Sequence, residues 1–583
     1  MRLVGERLSR NKMLVFNRFL PILILVLHSI LVGTLAYRHS VTFDETGHVA
    51  AGLVHWKHSD FSMYAVNPPL TRLVAMLPTM PLAGSYDVPQ YSGFVEHRAE
   101  LPVGVKFATE HEHYLTCVFI ARIACIPFSW IGGMVCYYWA RSLYGWHAGL
   151  AALILWCFSP NIQANACQVL PDLAATSLVV STCFVLRSWL MPERAKSPLL
   201  LGCILGVTLL TKFTTVVLIP IILVVVIVSA FQSQNQTYAR SFVSVIRQLS
   251  ICFAIALLVI NSGYFFEETF VPLGEYEFVS ESLSGIKRDE NMKGNRFLNP
   301  YTQQIPIPVP KNYILGIDLA KFEFERGYWS YLCGEFQNHG WWYFYLYALA
   351  VKEPIGFWGL AIIACLSNVC HIFNRKLRSE EWLLVGTSAA ILITVSAQTG
   401  YTHHLRYVLP VLPLWYILSS AISCNRKLAV IQVSLVIGFV VSSCSCFPNQ
   451  ISYFNECVGG PSNGWKHLAT SNYDWGQNLV DLRDWQERNS DKKPLFVKSS
   501  GAVPVSVYGI QAIAPRTEVA ENGEVSYPTG WYAICVDEML KVDSTLRRFL
   551  KLEPEERVAY TVFIYRLEKP LVVGQIKQDG GSK

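Results

Sequence analysis

Long apolar runs, separated by short clusters of charged residues, fill the first three quarters of the chain. They fall near residues 13–36, 116–140, 146–158, 172–190, 199–212, 214–231, 247–265, 341–369, 382–397, 405–423 and 428–446. A helix crosses a bilayer with about 20 apolar residues, so the pattern predicts a mainly α, polytopic membrane protein with about eleven transmembrane helices. The first run follows Arg2, Arg7, Arg10 and Lys12. At about 24 residues it exceeds a signal-peptide core and reads as an uncleaved span. The stretch 199–231 would make a helix of roughly 50 Å, against a hydrocarbon core of about 30 Å. Lys212 interrupts it, which predicts two short helices joined by a turn at the membrane surface.

Three polar regions lie between or after the runs: a first loop (37–115), a long loop (266–340) and a tail (447–583). In the tail, Pro494 to Lys498, Trp531 to Val536 and Thr561 to Leu567 alternate as strands do, and Leu540 to Leu550 has helical spacing. The chain is therefore expected to divide into a transmembrane domain (1–446) and a small external α/β C-terminal domain (447–583). In the first loop, Asn67-Pro68-Pro69-Leu70-Thr71-Arg72 opens a helix whose apolar residues recur at Leu70, Leu73, Val74 and Leu77. Together with a helix over 44–57, it is expected to lie on the bilayer and roof a site.

Lys and Arg sort into alternate short loops. Arg187, Arg194, Lys196, Arg240, Arg247, Arg375, Lys376, Arg378, Arg426 and Lys427 fall in one set, while the opposing loops 159–171 and 398–404 contain neither residue. Positive-inside bias then predicts a cytoplasmic N-terminus and an external C-terminus, in the plasma (inner) membrane if the protein is bacterial. All three polar regions fall outside. Composition agrees: 52% of the 583 residues are hydrophobic and 15% charged, with a net charge of +6. Soluble chains carry about a quarter charged residues, and so modest a positive charge argues against nucleic acid as a partner. Most of the 16 cysteines sit inside apolar runs and say little about redox compartment.

Candidate chemistry gathers at the predicted external ends of spans. Thr42-Phe43-Asp44-Glu45-Thr46-Gly47-His48 follows the first span. A carboxylate there suits a general base that takes the proton of an acceptor hydroxyl; equally, Asp44 or Thr42 would cap the helix that follows. Asp172, in Val169-Leu170-Pro171-Asp172-Leu173, again allows capping or an acidic site at the mouth of a span. Lys212 and Arg406 are cations on the face that charge bias leaves poor in them, placed to grip a departing phosphate. Snorkelling and interfacial anchoring are the plainer alternatives. His48, His55 and His58, and the cluster Glu110-His111-Glu112-His113, raise the question of a divalent metal, with Asp172 and His48 as its candidate ligands. The aromatic groups Tyr328-Trp329-Ser330-Tyr331 and Trp341-Trp342-Tyr343 read as an interfacial belt. The sequon Asn235-Gln236-Thr237 falls on the predicted cytoplasmic side.

Taken in order, several of these segments resemble the C-type (GT-C) integral membrane glycosyltransferases, in the branch of protein O-mannosyltransferases and lipid A aminoarabinose transferases (glycosyltransferase family 39-like). The resemblance rests on Asp44-Glu45 with His48, Asn67-Pro68-Pro69-Leu70, Pro171-Asp172-Leu173-Ala174-Ala175, Leu210-Thr211-Lys212-Phe213, Gly340-Trp341-Trp342-Tyr343 with Val351-Lys352-Glu353-Pro354, and Arg406-Tyr407-Val408-Leu409-Pro410. Tyr453-Phe454-Asn455-Glu456, Gly459-Gly460-Pro461 and Ser471-Asn472-Tyr473-Asp474-Trp475-Gly476-Gln477 resemble a bacterial subgroup of that branch. It implies inverting transfer of a sugar from a polyprenyl-phosphate donor to an acceptor hydroxyl on a protein, lipid or glycan at the non-cytoplasmic face. Asp44, Glu45 and Asp172 would be the catalytic acids, with Asp44 as base. Lys212, Arg406, His48, Asn67, Arg72, His404 and Tyr407 would bind donor phosphate and substrate. The chain departs from protein O-mannosyltransferases in having no repeat at 266–340 that would mark a β-trefoil. A transporter or flippase of polyprenyl-linked sugars is the alternative reading. Such proteins usually show repeated halves and midplane charges, and neither is visible here.

Overall fold

The computed structural model describes residues 2–89, 99–191, 194–231, 238–287, 293–372, 378–398, 400, 403–421, 425–519 and 524–575, with side chains from residue 19 onward except at 231, 238–241, 367–372 and 575. The sequon at 235–237 lies outside the described residues. Each predicted apolar run has a helical counterpart. Among the described residues, six helices are long and apolar enough to cross a membrane, or up to seven if one bent pair counts as a single span. The protein is thus a multi-pass membrane protein.

The bent pair replaces the single span expected over 341–369. Helices Phe344–Lys352 and Ile355–Ile372 meet at 112°. Pro354 has no N–H to continue the helix and drives Glu353 to extended backbone, ψ 139°. The expected span 405–423 is also short: a 3-10 turn Leu405–Val408 and a helix Val411–Ser419. Nine helical residues rise only about 14 Å. The stretch 199–231 breaks as anticipated, between Pro198–Leu209 and Leu218–Phe231, with Lys212 in the break.

Helix Tyr114–Tyr144 is the central post, touching the first helix, Trp146–Phe158 and Pro171–Leu186. The loop 159–171 is a buried one: Ser159 accepts the Ile162 N–H and starts a seven-residue helix, Pro160–Ala166. The first polar loop forms helix Phe43–His58, which ends at Ser59 in left-handed backbone, and helix Leu70–Met76. The long loop 266–340 carries helix Lys311–Arg326 and the hairpin Trp329–Leu332 with Glu335–Asn338.

In the tail, strand Leu495–Lys498 runs parallel to Gly530–Cys535. That strand pairs antiparallel with Val562–Leu567, which pairs in turn with Glu556–Val558. Helix Leu479–Arg488 buries Leu479, Leu482 and Trp485 beneath them. The helix expected over Leu540 to Leu550 is instead Val536–Leu540 followed by a 3-10 turn Thr545–Lys551, because Ser544 accepts the Leu546 N–H and starts a new element. The boundary expected at residue 447 is bridged. Ser40 donates to the Gly476 carbonyl, Asn455 donates to the Ala350 and Glu353 carbonyls, and Asn472 donates to the His403 carbonyl. Residues 447–478 therefore pack against the helical part, and helix Leu479–Arg488 follows them.

Candidate active site

Four charged side chains from distant parts of the chain converge. Arg406, in the 3-10 turn, donates from Nη2 to Asp44 Oδ2 at 2.5 Å, and its Nη1 lies 3.9 Å from Asp172 Oδ2. Lys212 Nζ donates to Asp172 Oδ1 at 2.5 Å. The cluster is balanced, two acids against two bases. Neither acid caps its helix: Thr42 is the N-cap residue before Asp44, and Leu170 the one before Asp172. Aromatic faces line the cations. Lys212 Nζ sits 4.2 Å from the Tyr407 ring centre, and the Arg406 guanidinium 4.3 Å from that of Trp475, contacts that favour a desolvated cation. The acids differ in access: the Asp44 side chain is 21% exposed and that of Asp172 2%.

Glu45 does not join this cluster. Its carboxylate is fully buried and accepts from Arg122 Nε at 2.8 Å and Nη2 at 2.6 Å, from Val169 N–H at 2.9 Å, and from Thr42 N–H at 3.2 Å. Arg122 also donates to the carbonyls of Ala36, His39 and Ser40. This knot ties the end of the first helix to the residues flanking Asp44 and to the turn that leads into Asp172. Arg122 was not anticipated. Its signal was there, since it is the one charge among the first 27 residues of helix Tyr114–Tyr144, where a lone ionisable group marks a polar task.

The remaining sequence candidates divide. His404 and Tyr407 stand beside the cluster: His404 Nδ1 is 2.6 Å from Ser471 Oγ, and its ring lies 5.4 Å from that of Tyr407. Burial, reinforced by the Arg406 charge, holds the His404 imidazole well below its usual range and hence neutral. Arg72 and Asn67 form a brace instead. Arg72 donates to the carbonyls of Tyr64 and Asn67, closing the turn between the two surface helices, and its guanidinium covers the Tyr64 ring. His48 is buried against Tyr64, with ring centres 4.5 Å apart. The metal considered at Asp172 and His48 does not fit the donors. Asp172 is already engaged by two cations, and no group of three or more His, Cys, Asp or Glu side chains converges among the described residues.

Behind Arg406 lies a second polar knot that sequence reasoning missed. Buried Lys352 donates to the carbonyls of Ile451 and Asn472, and Glu353 accepts from Asn161 Nδ2 and Tyr416 O–H. These contacts lock the 112° bend to the segment carrying Ser471 and Trp475.

Two crystal structures of ArnT from Cupriavidus metallidurans are similar to this structure. The one bound to undecaprenyl phosphate is 12% identical with a TM-score of 0.45, over 84% of this chain and 74% of that one. The apo form is 11% identical with a TM-score of 0.46, over 95% and 97%. No curated protein sequence matches the chain significantly. Residues 117–261, about a quarter of the chain, match the model of the dolichyl-phosphate-mannose-protein mannosyltransferase family, and over that segment the chain resembles these GT-C membrane glycosyltransferases.

Proposed function

We propose that the protein moves a sugar from a polyprenyl-phosphate donor to an acceptor hydroxyl at the non-cytoplasmic face of the membrane. The observation that carries this reading is the cluster of Asp44, Arg406, Asp172 and Lys212, with one accessible acid and one buried acid joined through the same guanidinium. The similarity of residues 117–261 to dolichyl-phosphate-mannose-protein mannosyltransferases supports it.

The chemistry follows from access and charge. Buried Asp172 holds Lys212 and Arg406 at one mouth, where they meet the donor phosphate. When phosphate oxygens take up Arg406, the Asp44 oxygen bonded to that guanidinium is released to accept the acceptor's O–H. The acceptor oxygen then bonds to the anomeric carbon while the bond from that carbon to the phosphate oxygen breaks. The proton goes to Asp44, and the electron pair leaves with the polyprenyl phosphate. A single displacement of this kind inverts the anomeric centre. The leaving group is stabilised by cations already in place, and the lipid donor enters from the bilayer.

The test uses purified full-length protein in lipid with a panel of polyprenyl-phosphate sugars, following free polyprenyl phosphate. Acceptor-dependent release is expected. Movement of intact donor between leaflets without release would replace this reading with a flippase.

A further inference from the structure

Arg406 has a second side. Beyond it lies a small cavity of about 30 Å³, lined by Asn161, Asn165, Gln168, Lys352, Arg406 and Trp475. That is room for roughly two water-sized groups. With Asn472, four carboxamides and an indole line it. Most of the polar lining is occupied: Asn161 donates to the Lys352 carbonyl and to Glu353, Asn165 donates to the Asn161 carbonyl, and Lys352 donates to two carbonyls. Gln168 is different. It is 1% exposed, yet among the described residues neither its Oε1 nor its Nε2 has a hydrogen-bond partner, and Arg406 Nε is likewise buried and unpartnered there. A buried amide with both ends unmet is costly to the protein alone.

We infer that this cavity receives one hydroxyl-bearing substituent of the donor's sugar, and that Gln168 is a specificity-determining residue for it. The inference rests on the glycosyl-transfer reading above. The open positions are one acceptor, Gln168 Oε1, and donors on Gln168 Nε2 and Arg406 Nε. A hydroxyl, which both donates and accepts, satisfies such a set, whereas a carboxylate would leave Oε1 without a proton. Location selects the donor's sugar over the acceptor: the cavity shares Arg406 with the phosphate site, and the sugar is bonded directly to that phosphate. Trp475, which covers Arg406 and lines the cavity, offers the apolar face that sugar rings favour.

The test compares full-length wild type with Gln168→Met in lipid, using polyprenyl-phosphate hexoses of the manno, gluco and galacto series and monodeoxy analogues of the best one. For wild type, removal of one particular hydroxyl should lower kcat/KM at least tenfold. In Gln168→Met the parent donor should fall to the level of that analogue, while the analogue itself is turned over as before. Equal loss on every donor, or no loss on any, would overturn the inference. The melting temperature of donor-free Gln168→Met should equal or exceed that of wild type, because an unmet amide has been removed. A clear drop would mean that Gln168 has a structural partner, and would also overturn it. Wild type that releases nothing from any donor would contradict the glycosyl-transfer reading itself, and this inference with it.

Discussion

Arg122 and Glu45 are both essentially excluded from solvent, and the arginine spans three backbone carbonyls besides the carboxylate. Removing one partner of a buried pair strands the other charge, at a cost of about 3–5 kcal/mol. Arg122→Met should therefore lower the melting temperature of the purified protein sharply, and adding Glu45→Gln should recover part of the loss; a single variant that melts like wild type would remove the knot from the account. At this scale the sequence was informative in one direction. Asp44, Asp172, Lys212 and Arg406 stood out as charges at the ends of apolar runs, although capping, snorkelling or anchoring would explain each of them singly. Their pairing was not, since 362 positions separate Asp44 from Arg406 and no local pattern encodes such a contact. Glu45 was grouped with its neighbour by adjacency alone. On a helix, adjacent side chains point about 100° apart, so one acid turns to Arg406 and the other to Arg122. Gln168 sent no signal, because an amide in a polar loop looks like solvent-facing loop until the loop proves buried.

Helices pack here through small residues. Gly202 and Gly206, four apart on Pro198–Leu209, face helix Tyr238–Gly263. A Cβ on Gly202 would lie 2.4 Å from the Cys252 carbonyl oxygen, and one on Gly206 2.9 Å from that of Ala256. Close backbone approach of this kind stands in for hydrophobic drive inside a bilayer. Gly202→Leu should push the helices apart at a cost of about 1–3 kcal/mol. It should also reduce sugar transfer through displacement of Lys212, in the break that follows the helix. Unchanged thermal stability and turnover would contradict that packing. Element positions were largely readable from apolar run lengths, including the break at Lys212. The break at Lys352-Glu353-Pro354 was missed, because run length alone hides it, although two charges and a proline interrupt the apolar run. The short Val411–Ser419 could not be foreseen, since its apolar neighbours are spent on a turn that presents Arg406.

On the scale of the whole molecule, the tail is fastened to the helical part by a pair of acids. Asp474 accepts from Ser500 O–H and from the Asp537 N–H, and Asp537 accepts from the Thr470 N–H. Burial pushes the Asp474 carboxyl up to about 6. Burial, with Asp474 nearby, pushes Asp537 up to about 7; Glu538 and Lys541 are the other charged groups beside it. Folded chains therefore hold these protons more tightly than unfolded ones, whose carboxyls titrate near 4. The contribution is full below about pH 4 and is lost as pH rises through 6 to 7. The melting temperature should fall between pH 5 and pH 8, and Asp537→Asn should flatten that slope; identical slopes would contradict the assignment. The strands Leu495–Lys498, Gly530–Cys535 and Val562–Leu567 were legible from alternation. Its attachment was not, because residues 447–478 are neither apolar enough to read as membrane nor regular enough to read as domain. Asp44 is proposed to take the acceptor's proton beside cations that hold the departing phosphate. The most direct test is transfer from a polyprenyl-phosphate sugar by Asp44→Asn in a bilayer, with donor binding measured in parallel. Transfer should fall by about 10²–10⁴-fold with donor affinity kept or raised, since Arg406 is freed for phosphate. Turnover equal to wild type would contradict the account.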